Sequence, residues 1–337
     1  MSLKLAIIGF GKSANRYHLP YLLKQKNFEV KYIFDLKSNL DLERQYADYS
    51  INFVTDIETI LADKEVTVVT LCTPPSTHYE LGKRFLESGK NVVIEKPFCE
   101  NITDAIELQT IAKKKNLLVQ PYQNRRFDSD YLTLKKVLDL DYLGDLIEIE
   151  SQFNYYRPDS AVKTGGQIDG AFYGMGVHLI DQMVALFGEP ERVDYDLRAV
   201  QNKESRTEDF FDIHLFYDPL KIRIKSSPLT AMEVPRFVVH GTNGSYIKMG
   251  PDQQENDLKA GLKPGDRYFG EDTPDCFGQL KYLNASGEWI LKSVQSEQGS
   301  YGFFYDSLHQ ALEYNQPKLV SDEEAKAVLQ ILQNGYH

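Results

Sequence analysis

The stretch Leu3–Ala14, LKLAIIGFGKSA, decides the first half of the fold. It begins with an apolar run, whose lack of alternation is typical of a strand buried on both faces in a parallel sheet. Gly9 then permits a tight turn, Gly11 lets a pyrophosphate approach the backbone, and Ala14 lets the next helix pack against the strand. The amide groups at the start of that helix attract a phosphate. The stretch therefore predicts a dinucleotide-binding turn.

An acidic residue stands where such a turn needs one. Asp35 follows the next predicted strand, Val30–Phe34. A carboxylate there accepts hydrogen bonds from both ribose hydroxyls of an adenosine and repels a 2′-phosphate, which favours NAD over NADP. Lys37 and Ser38 leave NADP open, because an ammonium and a hydroxyl can hold a phosphate. The alternative is an aspartate that caps the next helix, but the strand, turn, helix, strand and acid together favour the cofactor.

The composition is that of a globular protein long enough for two domains. The chain has 337 residues, of which 42% are hydrophobic and 26% are charged, both ordinary values. A net charge of −11 argues against nucleic acid and acidic membrane surfaces as partners, and no apolar stretch reaches the length of about 18 residues that spans a membrane. The three cysteines, Cys72, Cys99 and Cys276, have no paired spacing. They predict a reducing cytoplasm and no metal site.

The order of the elements changes once along the chain. From Leu3 to Gln120, strands and helices alternate, which predicts a doubly wound parallel sheet with ligands beyond the carboxyl ends of its strands. After Pro121, runs of alternating polarity joined by short turns predict a mostly antiparallel sheet. The predicted domains, both α/β, are therefore residues 1–121 and 122–337.

The predicted boundaries are as follows. The helices that bear on the site run from Lys12 to about Lys24 and from about Met175 to Phe187. The strands of the second domain are Leu146–Tyr156, Glu191–Val200, Phe210–Tyr217, Lys221–Ser226, Phe237–Gly241 and Ser245–Lys248. The polar, glycine-rich stretch Pro251–Pro274 is predicted to be a long surface loop.

Lys96 is the first catalytic candidate. It follows the predicted strand Asn91–Ile94 and precedes Pro97, so it stands on a rigid turn at the predicted ligand edge. A neighbouring oxidised nicotinamide, which is positively charged, and partial burial would both lower the pKa of its ammonium, as a general base or proton donor requires. An exposed lysine at a strand end is the commoner situation, but Glu95 and Pro97 on either side favour the catalytic interpretation.

His178 is the second candidate. It follows a glycine-rich stretch and begins a predicted helix, with Asp181 one turn further on. A histidine there can pass protons or bind a hydroxyl, and a purely structural pair with Asp181 is equally compatible with the pattern. Among the other histidines, His78 could face the cofactor. Weaker candidates are His18, His214 and His240.

Basic and aromatic side chains near the predicted domain junction are candidates for substrate binding. Arg125, Arg126 and Arg157 could hold an acidic or hydroxylated substrate, or could form surface salt bridges. Tyr173 and the aromatic-rich stretch 153–157 could form the wall of a sugar site, although aromatic residues on a sheet more often belong to the core.

Taken together, these residues resemble the glucose–fructose oxidoreductase/inositol dehydrogenase (Gfo/Idh/MocA) family over nearly the whole chain, and in particular a bacterial branch of oxidoreductases with Gly-Lys-Ser after the first strand. The matching motifs are Gly9-Phe10-Gly11 with Ala14, Thr73-Pro74 with His78, Glu95-Lys96-Pro97, Asn124-Arg125-Arg126-Phe127, and Gly176-Val177-His178 with Asp181. The resemblance implies a Rossmann domain, a second α/β domain with an open sheet, and a homodimer or homotetramer. It also implies NAD(P)-linked oxidation or reduction of a sugar, polyol or related ring.

The resemblance also assigns roles by position. Lys96 and His178 match the catalytic lysine and histidine. The residues predicted to bind the cofactor are Gly9, Phe10, Gly11, Lys12, Ser13, Asp35, Thr73, Pro74, His78, Glu95, Lys96, Pro97 and Asn124. The residues predicted to bind substrate are Arg125, Arg157, Tyr173 and His178.

One position departs from the family pattern. Gly174 stands where many members carry an aspartate, one helical turn before the histidine. Asp169, Tyr173 or Asp181 could substitute for the missing carboxylate.

The sequence thus predicts an NAD(P)-dependent oxidoreductase. Lys96, assisted by His178, would exchange the hydroxyl proton of a sugar or polyol while a hydride passes between substrate and nicotinamide. Two alternatives stay open. One is a non-redox glycosidase that uses tightly held NAD, and the other is a non-catalytic NAD(P)-binding regulator on the same fold.

Overall fold

A computed structural model describes residues 2–159 and 165–336 of the chain. Two compact units form: the first comprises Met1–Asn124 and Tyr301–Leu329, and the second comprises Arg125–Ser300 and Gln330–His337. This division differs from the prediction of two consecutive domains, because residues 301–329 return to the first unit. The reason is apolar burial that the local sequence does not reveal: Phe304 and Tyr305 are fully buried there, and their rings pack on Tyr122 and Phe28.

The sheet of the first unit is built from six strands: β1 (Leu3–Ile8), β2 (Phe28–Phe34), β3 (Asn52–Val54), β4 (Val66–Leu71), β5 (Asn91–Ile94) and β6 (Val119–Pro121). All its strand pairs are parallel, and the order is β3-β2-β1-β4-β5-β6. The apolar run of β1 lies in the interior, since the side chains from Leu5 to Ile8 are fully buried. The predicted doubly wound Rossmann sheet is confirmed.

The α-helices of the described residues are α1 (Leu19–Leu22), α2 (Leu40–Arg44), α3 (Glu58–Ala62), α4 (His78–Glu87), α5 (Ile102–Lys115), α6 (Ser129–Asp139), α7 (Val177–Phe187), α8 (Gln254–Ala260), α9 (Gly302–Tyr314) and α10 (Asp322–Asn334). Within that part of the chain, every helix is too short or too polar to cross a membrane.

The helix after the glycine turn is more irregular than predicted. Residues 12–22 are helical without a break, close to the predicted helix from Lys12 to about Lys24, but a π-helical turn over Ala14–His18 lies within it and leads into α1. The amide of Leu19 bonds to the carbonyl of Ala14, five residues back. Pro20 follows directly and has no amide proton to continue the regular ladder.

The second unit contains eight strands: β7 (Leu146–Gln152), β8 (Arg192–Arg198), β9 (Phe210–Tyr217), β10 (Leu220–Ser226), β11 (Phe237–Gly241), β12 (Gly244–Lys248), β13 (Gly278–Leu283) and β14 (Trp289–Val294). Their order is β14-β13-β12-β11-β7-β10-β9-β8. The sheet is mostly antiparallel, as predicted, and β10 pairs with β7 in parallel.

Two features of the second unit were not predicted. The edge strand β14 and its neighbour β13 lie beyond the predicted strands, because β14 is largely exposed and shows no apolar alternation; its ladder to β13 holds it instead. The predicted loop Pro251–Pro274 contains α8, a polar helix that ends at Gly261 in the left-handed conformation. Glycine at that position is a frequent helix stop.

Candidate active site

The glycine turn at the end of β1 has two different glycines. Gly9 has φ +97° and its amide donates to the Phe34 carbonyl at 2.8 Å; a Cβ there would lie 2.7 Å from the Cys72 carbonyl oxygen. Only glycine therefore fits between β1 and β4. A Cβ at Gly11 would meet no heavy atom within 4 Å. The chain's own packing does not require glycine at position 11, and the open backbone there fits a pyrophosphate.

Asp35 lies where the predicted adenosine end of the cofactor requires an acid. Its Oδ2 accepts from the Phe10 amide at 2.9 Å and its Oδ1 accepts from the Leu36 amide at 2.7 Å. The half-buried carboxylate is thereby fixed at the glycine turn. A small cleft beside it is lined by Phe10, Ile33, Asp35, Lys37, Ser38, Glu43, Phe53, Val54 and Thr55.

The ends of β4 and β5 are tied together by His78. Its Nδ1 lies 2.9 Å from the Pro97 carbonyl and its Nε2 lies 3.0 Å from the Thr73 carbonyl. The ring is fully buried, and this burial lowers the pKa of His78. The side chain therefore joins the two turns that carry Thr73 and Pro97, and cofactor binding by His78 stays a prediction.

Glu95 is the centre of a buried polar cluster. One carboxylate oxygen accepts from the Ser13 hydroxyl and lies 3.1 Å from His18 Nε2, and the other accepts from the Lys96 amide at 2.9 Å. Only 9% of Glu95 is exposed. Burial by itself would raise the pKa of Glu95, but the hydrogen bonds from His18 and Ser13 and the positive charges of His18 and Lys96 lower it to about 2. The carboxylate is thus ionised, directly before the candidate lysine.

His18 and Tyr305 complete this cluster, and sequence reasoning had underrated the first and missed the second. His18 is 0% exposed. Its ring lies 4.0 Å from that of Tyr122, and its Nδ1 lies 2.6 Å from the Tyr305 hydroxyl. Tyr305 is distant in sequence, so no local pattern could have placed it here.

The other predicted cofactor residues of the first unit differ in exposure. Lys96 is half-buried, Pro97 is buried behind a cis peptide bond, and Asn124 is buried at the start of a short 3₁₀ turn. Pro74 and Lys12 are exposed, and Thr73 is half-buried.

In the second unit, His178 stands on the first turn of α7 and is 6% exposed. A π-helical turn, Phe172–Gly176, precedes it, in which the Val177 amide reaches the Phe172 carbonyl. His178, like His18 in the first unit, thus lies at a π-helical turn, a feature frequent at functional sites.

The residue predicted to pair with His178 has another firm partner. Both oxygens of Asp181 accept from Arg126, one from Nε and one from a terminal nitrogen, each at 2.7 Å. Both side chains are buried. This bidentate pair anchors α7 to the turn that contains Arg126.

Carboxylates and a tyrosine lie in or contact the segment that contains Gly174. The Asp169 carboxylate accepts from the Gly166 amide at 3.1 Å, and the buried ring of Tyr173 stacks on Tyr336 at 6.0 Å. A further carboxylate, Glu208, is buried and accepts from the Phe172 amide at 2.9 Å. Glu208 belongs to the loop between β8 and β9 and thus caps the π-helical turn from a part of the chain that is distant in sequence. Local sequence could not show this contact.

The predicted substrate-binding arginines have different environments. Arg125 is buried, with one nitrogen 3.0 Å from Asp128 Oδ2 and another bonded to Glu255. Arg157 is exposed, and its guanidinium lies 4.9 Å from the centre of the Tyr155 ring. A cleft in the second unit is lined by Gln152, Phe153, Asn154, Tyr156, Thr230, Ala231, Met232, Glu233, Val234, Arg236, Gly250 and Pro251.

The first unit therefore contains every predicted cofactor residue, and the second contains Arg125, Arg157, Tyr173 and His178. Within the first unit, the structure brings Ser13, Glu95 and the Lys96 amide together. Asp35 and the Phe10 amide form a separate contact at the glycine turn.

Comparison with known proteins gives a consistent result. The family described as "Oxidoreductase family, NAD-binding Rossmann fold" matches residues 3–123, and "Oxidoreductase family, C-terminal alpha/beta domain" matches residues 135–337. The uncharacterized oxidoreductase YhhX of Escherichia coli is 45% identical over 100% of this chain and 96% of its own length. The scyllo-inositol 2-dehydrogenase (NADP(+)) IolW of Bacillus subtilis is 30% identical over 98% of this chain and 92% of its own. The crystal structure of an oxidoreductase from Bacillus cereus superimposes with a TM-score of 0.96, at 48% identity, over 99% of this chain and 96% of that one.

Proposed function

The chain belongs to the Gfo/Idh/MocA oxidoreductase family, as its sequence motifs indicated, and we propose that it transfers a hydride between a nicotinamide cofactor and a hydroxyl or keto group of a sugar or polyol. The observation that carries the proposal is the cluster around Glu95. It fixes the backbone of Lys96 at the carboxyl end of β5, where ligands of a Rossmann sheet bind.

The residues of the first unit fit a dinucleotide. Gly11 leaves the backbone of the turn open, and Asp35 presents an acceptor for ribose hydroxyls beside a small cleft. When bound, the nicotinamide supplies the hydride chemistry. The protein's own task is to hold the substrate and to move one proton.

Lys96 is the proposed acid–base group. In the oxidative direction, its Nζ accepts the proton of the substrate hydroxyl, and in the reductive direction it returns that proton. The ionised Glu95 fixes the turn from which Lys96 extends. His178 is the proposed assistant on the basis of the family resemblance, and Arg125, Arg157 and Tyr173 are the proposed substrate contacts.

We propose NAD as the preferred cofactor because Asp35 disfavours a 2′-phosphate. The name of the relative IolW specifies NADP(+), so the two cofactors need a direct comparison. Fluorescence titration with NADH and NADPH tests the preference without any substrate, and clearly tighter NADPH binding would reject it.

The reaction is tested with a panel of inositols, sugars and keto-sugars and both cofactors. On a true substrate, Lys96→Ala is expected to lower kcat by about two to four orders of magnitude, whereas Lys113→Ala, an exposed lysine on α5, should leave it unchanged. A near-normal rate of Lys96→Ala would remove this lysine from the mechanism.

The same panel separates the alternatives. Sugar release without a net change in nicotinamide absorbance would indicate the non-redox glycosidase. Nicotinamide binding without turnover would indicate a regulator, which the glycine at position 174 favours. The homodimer or homotetramer and the cytoplasmic location stay predictions.

The glycine turn offers a matched pair of variants for the cofactor. Gly9→Ala should destabilise the first unit, because its Cβ would meet the Cys72 carbonyl at 2.7 Å. Gly11→Ala should fold normally, because its Cβ meets nothing in the chain. It should bind NADH more weakly, because that Cβ would stand where the pyrophosphate is expected to approach the backbone. Unchanged NADH affinity of Gly11→Ala would argue against a pyrophosphate at this turn.

A further inference from the structure

Glu43 lines the same small cleft as Asp35 in the first unit, and no role has been assigned to its carboxylate so far. Its Oε1 accepts from the Ser38 hydroxyl at 2.7 Å and from the Asn39 amide at 2.9 Å. Glu43 is half-buried and belongs to the short helix α2. Both bonds hold the carboxylate against the segment that follows β2.

Glu43 and Asp35 line the same small cleft, together with one cation, Lys37. Both oxygens of Asp35 are held by backbone amides, so its charge is fixed in place. Formal charges of −1, −1 and +1 leave this cleft with a net negative charge. An added phosphate dianion would meet two carboxylates and one flexible, exposed ammonium.

The sequence is compatible with NADP partly because the Ser38 hydroxyl can donate a hydrogen bond to a phosphate. Its hydrogen-bond donor already points to Glu43, so a phosphate would have to compete with a carboxylate for it. A neutral ribose hydroxyl faces no such competition, because carboxylates are good acceptors for it.

We propose that Glu43 is a second specificity-determining residue, which disfavours a 2′-phosphate by its charge and by occupying the Ser38 hydroxyl. This inference rests on the proposed nicotinamide cofactor but not on the catalytic roles of Lys96 and His178. On this proposal, Glu43 and Asp35 together discriminate NAD from NADP by repelling the 2′-phosphate, which is an example of specificity gained through repulsion.

A structural role for Glu43 predicts a different outcome and can be separated. The contacts to Ser38 and Asn39 could serve only to start α2. Glu43→Gln removes the charge and keeps an oxygen that accepts the same two bonds, whereas Glu43→Ala removes both. If only capping matters, Glu43→Gln behaves as wild type.

The experiment is fluorescence titration of the full chain with NADH and with NADPH, alongside thermal melting. Glu43→Gln is expected to strengthen NADPH binding by about tenfold, as expected for removing one partly screened like charge, and to change NADH binding less than about twofold. Lys37→Ala in the Glu43→Gln background should reverse most of that gain. The matched control is Glu29→Gln, which removes an exposed charge at the other end of β2 and should change neither affinity.

An unchanged ratio of NADPH to NADH affinity in Glu43→Gln, with wild-type melting, would overturn the inference and leave the proposed function intact. A wild-type protein that binds neither nucleotide would overturn the inference and the cofactor assignment together. Stronger NADPH binding in Glu43→Gln supports the inference even if no substrate is ever turned over.

Discussion

Two buried carboxylates, one in each unit, differ sharply in charge state. Glu95 in the first unit has a pKa lowered to about 2, whereas Asp128 in the second unit has a pKa raised to about 7. Both side chains are almost inaccessible to water. Burial alone therefore does not decide whether a carboxylate carries charge.

The neighbours explain the difference. Glu95 is a single carboxylate that accepts from His18, Ser13 and the Lys96 amide. The pKa of Asp128 is raised mainly by burial, which the Arg125 cation does not fully offset, and the negative charge of Asp130 raises it further.

The cluster of the second unit contains more acids than the first. Asp252 is a third buried aspartate there, and burial together with the charges of Asp128 and Asp130 raises its pKa as well. Arg236 bonds to Asp130 at 2.8 Å and not to Asp128. An ionised carboxylate in a protein interior thus needs donors of its own, and one that shares cations with other acids tends to keep its proton.

The largest expected effect comes from neutralising each carboxylate in turn. Glu95→Gln removes the charge to which His18, Ser13 and the Lys96 amide donate, and should lower the free energy of unfolding by about 3 kcal/mol at pH 8. Asp128→Asn should cost less than about 1 kcal/mol at that pH, because ionising the native side chain is itself unfavourable. Urea unfolding, with hydrogen exchange by mass spectrometry to resolve the two units, measures both. Equal losses would erase the contrast between the two clusters.

The stability that Glu95 gives the first unit and the stability that Asp128 gives the second should change with pH in opposite directions. The pKa of Glu95 is lowered in the folded state, so its contribution is present above about pH 4.5 and is lost as the pH falls toward about 2. The pKa of Asp128 is raised, so its contribution is present below about pH 4 and is lost as the pH rises through about 7.

Hydrogen exchange from pH 3 to pH 8 checks these signs. Peptides of the first unit should lose protection in acid, and Glu95→Gln should flatten that loss. Peptides around Asp128 should lose protection toward pH 8, and Asp128→Asn should flatten that trend. A common direction in both units would contradict the assigned charge states.

A smaller effect is expected at the ion pair of Arg126 and Asp181 in the second unit. Two bonds join them, so the Asp181 carboxylate, like Glu95, accepts well-directed hydrogen bonds. Arg126→Lys keeps the positive charge but cannot donate the two parallel hydrogen bonds of the guanidinium, and should lower the free energy of unfolding by about 1–2 kcal/mol. Faster exchange confined to α7 would support this ranking. A loss as large as that of Glu95→Gln would reverse it.

Local sequence was sufficient to predict the glycine turn at the end of β1 and the acid that follows β2. Gly9, Gly11 and Asp35 follow one another in a strand, turn and strand, and each has a steric or electrostatic reason to be there. It was insufficient for β14, since this strand is held by its ladder to β13 and not by apolar burial. A pattern of buried and exposed residues cannot reveal a strand that is mostly exposed.

The sequence by itself determined the parallel sheet, the mostly antiparallel sheet and the family, because these depend on short-range periodicity and on motifs within a few residues. Only the tertiary structure decided that His18 and Tyr305 meet at Glu95, that His78 holds two strand ends, and that Glu43 binds Ser38. The charge state of a buried group depends on neighbours that the chain brings from far away, and Tyr305 lies 287 residues from His18. No spacing along the sequence encodes such a contact.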